Sequence, residues 1–135
     1  HLEAARAAYR DAGVAADVVP FIADMAEAYG WADFAVCRAG ALTVSELAAA
    51  GLPAILVPYP HAIDDHQYHN ARWLEQGGAA LLFREEALDS GRVAAAIADV
   101  SADPTHRAAM GAQARALALP DAAQAVAAAC LEVAR

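Results

Sequence analysis

The chain has 135 residues and a formal net charge of −8, from nine Lys and Arg against seventeen Asp and Glu. That length allows one domain or part of one, and an acidic chain without a basic stripe argues against nucleic acid as a partner. Ala supplies 41 positions of a 59% hydrophobic chain, so the composition predicts a helix-rich globular protein with a modest core.

The longest strongly apolar run, Leu52 to Val57, is strand-sized and broken by Pro53; by that count no run reaches the ~20 residues of a membrane-spanning helix. No signal peptide is legible, and the start at His1 predicts a piece of a longer chain. Cys37 and Cys130 stand far apart in different settings and read as reduced, structural thiols.

In chain order, Leu2 to Ala12 reads as a helix closed by Gly13, Asp17 to Phe21 as a short strand, and Asp24 to Tyr29 as a helical turn or two. Asp33 to Cys37 reads as a buried strand, Thr43 to Ala50 as a helix ended by Gly51, and Ala54 to Pro58 as a strand. His66 to Gln76 is a helix stopped by Gly77-Gly78, and Ala79 to Phe83 is the last strand. Helices follow over Gly91 to Val100, Pro104 to Ala118 and Pro120 to Ala134. Continuous apolar strands alternating with helices predict an α/β fold, with a parallel sheet covered on both faces. Ligands of such sheets bind at the carboxyl ends of the strands. Those ends are Phe21-Ile22, Arg38-Gly40, Tyr59-His66 and Arg84.

Arg38-Ala39-Gly40-Ala41-Leu42-Thr43 is a strand-to-helix turn, and helix starts offer unpaired N–H groups and partial positive charge to an anion. An ordinary turn has the same outline, and the Lys-Ser/Thr ending of a P-loop is absent. Glu46, three residues after Thr43, either closes a capping box or presents a carboxylate to a vicinal diol. Gln67 faces the same crevice, with an amide that suits sugar hydroxyls, or lies on a solvated helix face; Asn70 reads as a loop tie. His61, His66 and His69 lack a complete ligand set, so no metal is expected. Phe21 and Ile22 are most simply core packing, although main-chain groups there, at the end of the first strand, could read a planar base; Trp31 and Trp73 are most simply core or interface packing.

Pro20-Phe21-Ile22-Ala23-Asp24-Met25, Trp31-Ala32-Asp33, Ala41-Leu42-Thr43-Val44-Ser45-Glu46, Gly51-Leu52-Pro53 and His66-Gln67-Tyr68-His69-Asn70-Ala71 stand in this order. Together they resemble the C-terminal half of the MurG family of peptidoglycan N-acetylglucosamine transferases. The resemblance covers nearly the whole chain and is densest from Val19 to Ala71. It implies a Rossmann-like, UDP-sugar-binding domain of a GT-B glycosyltransferase, with residues 1–135 as part of that domain. It also implies that the main chain at Ile22 meets uracil, that Ala41, Leu42 and Thr43 meet the diphosphate, and that Glu46 holds the ribose hydroxyls. Gln67 then contacts N-acetylglucosamine, and Val44 and Ser45 complete the donor-binding string. The implied donor is UDP-N-acetylglucosamine and the implied acceptor a lipid-linked muramyl pentapeptide, bound through a domain not in this sequence. No catalytic residue, cofactor or metal is expected here. The implied location is the cytoplasmic face of the bacterial membrane. In the family's strand order 3-2-1-4-5-6, the strand near Val18 would be the third and would lack its neighbours. Residues 17–21 should then not pair with 34–37, whereas the strands near Val36, Leu56 and Leu81 should still pair together.

Overall fold

The computed structural model describes residues 1–134. Its elements are α1 (Leu2–Asp11), α2 (Met25–Trp31), β1 (Ala35–Cys37), α3 (Ala41–Ala50), β2 (Ala54–Leu56) and α4 (His66–Gln76). β3 (Ala80–Leu82), α5 (Ser90–Ala102), α6 (Pro104–Leu117) and α7 (Ala122–Val133) complete the chain. Short 3₁₀ turns at Ile63–Asp65 and Glu85–Ala87 follow β2 and β3.

The sheet is parallel in the order β1-β2-β3, with Val36 opposite Ile55 and Ile55 opposite Leu81. Side chains alternate across β2 and so feed two cores. Ala54 and Leu56 join Val44, Leu47 and Ala48 of α3, Ala71 and Leu74 of α4, and Ala114 of α6. Ile55 points the other way, onto Ala96 and Val100 of α5, with Phe34, Leu81 and Phe83 around it. Both faces are covered, as the continuous apolar strands predict. The small Ala side chains let elements approach closely. A Cβ placed on Gly111 of α6 would lie 2.6 Å from the carbonyl oxygen of Gly51, which caps α3 at φ 67°.

Three expectations are corrected and a fourth is qualified. Asp17 to Phe21 is not a strand, and among the described residues it pairs with nothing in the sheet. A strand needs a ladder partner; here the segment is tied only by the Arg6 guanidinium, which donates to the Val18 carbonyl at 3.1 and 3.2 Å. β1 is half-buried, not buried, because no described strand lies on its outer edge; Val36 is 46% exposed. Core packing is also the wrong reading for Phe21, which is 80% exposed; of the two tryptophans, Trp73 packs against the core, whereas Trp31, 87% exposed, does not. Finally, Pro104–Val133 is long and apolar enough by length and composition to cross a membrane. It is not continuous: Ala118 leaves helical geometry at ψ 143°, dividing it into helices of 14 and 12 residues. Each is short of the ~20 a span needs.

Candidate functional site at the carboxyl edge of the sheet

α3 begins at Ala41, two residues earlier than its sequence pattern suggests, with Gly40 as its N-cap at φ −62° and ψ 151°. The shift removes the capping box. Thr43 lies inside the first turn, and no side chain caps the helix. The Val44 N–H closes the first helical bond, to the Gly40 carbonyl at 3.0 Å. The N–H groups of Ala41, Leu42 and Thr43 precede that bond and find no acceptor among the described residues. Helix starts with such free donors attract anions.

The turn is held from behind by α4. The Gln67 Oε1 accepts from the Ala39 N–H at 3.2 Å and from the Tyr59 N–H at 3.0 Å. Asn70 Nδ2 donates to the Ala39 carbonyl at 3.0 Å, the loop tie expected of it. One residue pair on one helix therefore joins the loops after β1 and β2. The amide nitrogen of Gln67 remains free of protein partners among the described residues, so it can still donate to a ligand.

Glu46 lies on the exposed side of α3, one turn beyond Leu42 and Thr43. Its Oε2 accepts from the Tyr29 hydroxyl at 2.9 Å, and no cation pairs with it among the described residues. No cation neutralises the carboxylate among the described residues, and most of its acceptor positions are open. That is the chemistry to receive neutral hydroxyl donors, such as a diol. Partial burial pushes the Tyr29 hydroxyl up to about 12, helped by its bond to Glu46, so Tyr29 stays a donor throughout the neutral range.

The remaining expected residues differ in setting. The Val44 side chain is buried in the core, and Ser45 Oγ donates to the Ala41 carbonyl at 2.9 Å. Leu42 is 79% exposed. Ile22 is 43% exposed, and its N–H and C=O have no protein partner among the described residues. It lines an open groove of about 550 Å³ with Tyr9, Val18, Phe21 and Met25.

Charged groups to which the sequence assigned no role brace the rest of the edge. Arg38 donates to the carbonyls of Val57 and Pro58 and pairs with Glu85. Arg84 pairs with Asp65 at 2.9 Å and stacks 3.7 Å over the Tyr68 ring. Arginines at strand ends were the available signal, but their partners come from distant loops. Asp64 and Asp65 sit at φ 52° and 53°, ahead of α4. Side chains strain that backbone, β-branched ones most. Asp64→Gly should therefore leave the melting temperature unchanged or slightly raised, whereas Asp64→Val should destabilise by ~1–2 kcal/mol; equal melting curves would remove strain from the account of this loop.

The histidines are engaged separately. His66 Nδ1 lies 2.8 Å from the Ile63 carbonyl, while His61 and His69 form T-shaped ring pairs with Tyr59 and Tyr68. Among the described residues, no three His, Cys, Asp or Glu side chains are grouped as metal ligands.

Comparison with known proteins gives a concordant result. The family described as "Glycosyltransferase family 28 C-terminal domain" matches residues 1–126. A UDP-N-acetylglucosamine--N-acetylmuramyl-(pentapeptide) pyrophosphoryl-undecaprenol N-acetylglucosamine transferase of Azotobacter vinelandii is 58% identical over 135 residues. The same-named protein of Ectopseudomonas mendocina is 56% identical over 135 residues. The chain spans 38% of the length of each of these relatives. The crystal structure of Acinetobacter baumannii MurG superposes with a TM-score of 0.85 at 42% identity, over 93% of this chain and 38% of that one.

Proposed function

The chain belongs to the family of glycosyltransferase family 28 C-terminal domains, and from that premise we propose that it is the UDP-N-acetylglucosamine-binding part of a longer peptidoglycan N-acetylglucosamine transferase. The observation that carries this reading is the set of free N–H groups at Ala41, Leu42 and Thr43, with an unpaired carboxylate one turn further along the same helix.

In this reading the diphosphate of the donor lies on the start of α3. The chain's net charge of −8 does not prevent this: amide dipoles act at contact distance, while distant carboxylates are screened over about a Debye length. Glu46 receives the ribose hydroxyls. The free amide nitrogen of Gln67 donates to the N-acetylglucosamine. Ser45 and Val44 support the turn rather than touch the sugar: the first ties to the Ala41 carbonyl and the second anchors α3 in the core. The unpartnered main chain of Ile22 suits the edge of the uracil ring.

The reaction is displacement at the anomeric carbon by a hydroxyl of a lipid-linked muramyl pentapeptide, with inversion and with UDP leaving. Negative charge then grows on the diphosphate, where preorganised N–H donors stabilise it most. The acceptor site and catalytic base belong to the rest of the longer protein, as does attachment to the cytoplasmic face of the membrane. Residues 1–135 by themselves are expected to be inactive.

The test is transfer of labelled N-acetylglucosamine from UDP to the lipid-linked acceptor by the full-length protein. Donor binding without transfer to that acceptor would leave a nucleotide-sugar-binding module in place of a transferase. Gly40→Ala probes the anion turn directly. At φ −62° the backbone accepts Ala, and the new Cβ would lie an unstrained 3.5 Å from Thr43 Oγ1. Stability should hold, while UDP affinity should fall by about 10-fold because the methyl narrows access to the amides. Unchanged UDP affinity, measured by calorimetry, would place the diphosphate elsewhere.

A further inference from the structure

Resting on the reading of Glu46 as the ribose ligand, we propose that Tyr29 is a positioning residue that holds the Glu46 carboxylate ready for the two ribose hydroxyls and so contributes to selection of ribose over deoxyribose.

The Tyr29 hydroxyl, at the end of α2, reaches across to α3 and donates to one oxygen of Glu46 at 2.9 Å. No other protein group among the described residues touches that carboxylate through a hydrogen bond or ion pair. The two ends of the contact differ in mobility. Glu46 is exposed on a long side chain, whereas the Tyr29 ring is partly buried and packs against the larger core with Ala32, Ala35 and Cys37. α2 is itself fixed at its start, where Asp24 accepts from the Glu27 N–H at 2.8 Å. The phenol is therefore the rigid partner and the carboxylate the one that is placed.

Fixing a Glu side chain has an entropic cost that a ligand must otherwise meet on binding. A neutral donor does this without cancelling the charge, which an Arg or Lys would do. It occupies one of about four lone-pair positions on the carboxylate and leaves room for two further hydroxyls. A ligand with both ribose hydroxyls gains the full benefit of the oriented carboxylate, and one lacking the 2′-hydroxyl gains less.

Tyr29→Phe removes the hydroxyl and keeps the packing ring. UDP and 2′-deoxy-UDP binding to the full-length protein are measured by calorimetry for wild type, Tyr29→Phe and Glu46→Gln. Tyr29→Phe should weaken UDP by about 3- to 10-fold, change 2′-deoxy-UDP much less, and leave the melting temperature within a degree or two. The preference for UDP over its deoxy analogue should shrink accordingly. Equal weakening of both ligands, or a matching loss of stability, would make Tyr29 a packing residue. A gain in UDP affinity would mean that the hydroxyl competes with ribose, and either result overturns the proposal. If Glu46→Gln also leaves the preference intact, the ribose reading itself fails. If Glu46→Gln abolishes the preference and Tyr29→Phe does not, only the role of Tyr29 falls.

Discussion

Glu46→Gln in the full-length protein is expected to weaken UDP-N-acetylglucosamine binding by at least ~10-fold with almost no change in melting temperature. The first half follows from charge. Hydrogen bonds to an ionised group contribute ~1.5–3 kcal/mol, and a neutral amide forfeits much of that. The second half follows from position. Glu46 closes no capping box, because α3 starts at Ala41, and it forms no ion pair among the described residues. Its one protein contact, to the Tyr29 hydroxyl, can be kept by the Gln carbonyl oxygen. A stability loss without a binding loss would mean that the carboxylate serves the fold, and unchanged donor affinity would sink the ribose assignment.

Gly111→Ala is expected to act in the opposite sense, on the fold first. Its Cβ would stand 2.6 Å from the Gly51 carbonyl oxygen and 3.8 Å from Pro53 Cδ. The nearer obstacle is backbone, so no rotamer change relieves it; α6 must move away from α3. Overpacking of this kind costs ~1–3 kcal/mol, a fall of roughly 3–11 °C in melting temperature for a domain of this size. Because α3 carries the free N–H groups of Ala41 to Thr43, its displacement should also weaken UDP binding. A melting temperature within a degree of wild type would show that the crossing of α3 and α6 is looser than its geometry indicates.

Much of the architecture was legible because its signals are local. Gly51 ends α3 in a left-handed conformation, and His66–Gln76 is the helix that its Gly77-Gly78 stop suggests. The apolar runs through Val36, Ile55 and Leu81 do pair in parallel, and both faces of the sheet are covered. Asp17 to Phe21 had equally good strand composition, yet it is unpaired. Propensity describes a residue's fit to a pleated surface, while the strand itself requires a neighbour.

The site divides in the same way. Motif order located Ala41 to Thr43, Glu46 and Gln67 along the chain and, through the resemblance to a family, attached a chemistry to them. It misjudged how they are held. Thr43 and Glu46 have the spacing of a capping box, but the chain leaves β1 at Cys37 and turns into the helix at Gly40, which takes the N-cap position in place of Thr43. Gln67 was expected to face the crevice; its carbonyl oxygen is spent on the N–H groups of Ala39 and Tyr59, so only its nitrogen is available. Tyr29 was missed altogether, being 17 residues from the carboxylate it meets.

By itself the sequence determined the periodicities, the helix stops, the parallel order of three strands and the residues placed at their carboxyl ends, since each depends on neighbours a few positions apart or on motif order. Only the tertiary structure decided which N–H groups are left without acceptors among the described residues, which oxygen of which side chain is already occupied, and that a phenol on α2 donates to an acid on α3. Those outcomes are set by distances between segments remote in sequence, where a change of about an ångström separates a hydrogen bond from none.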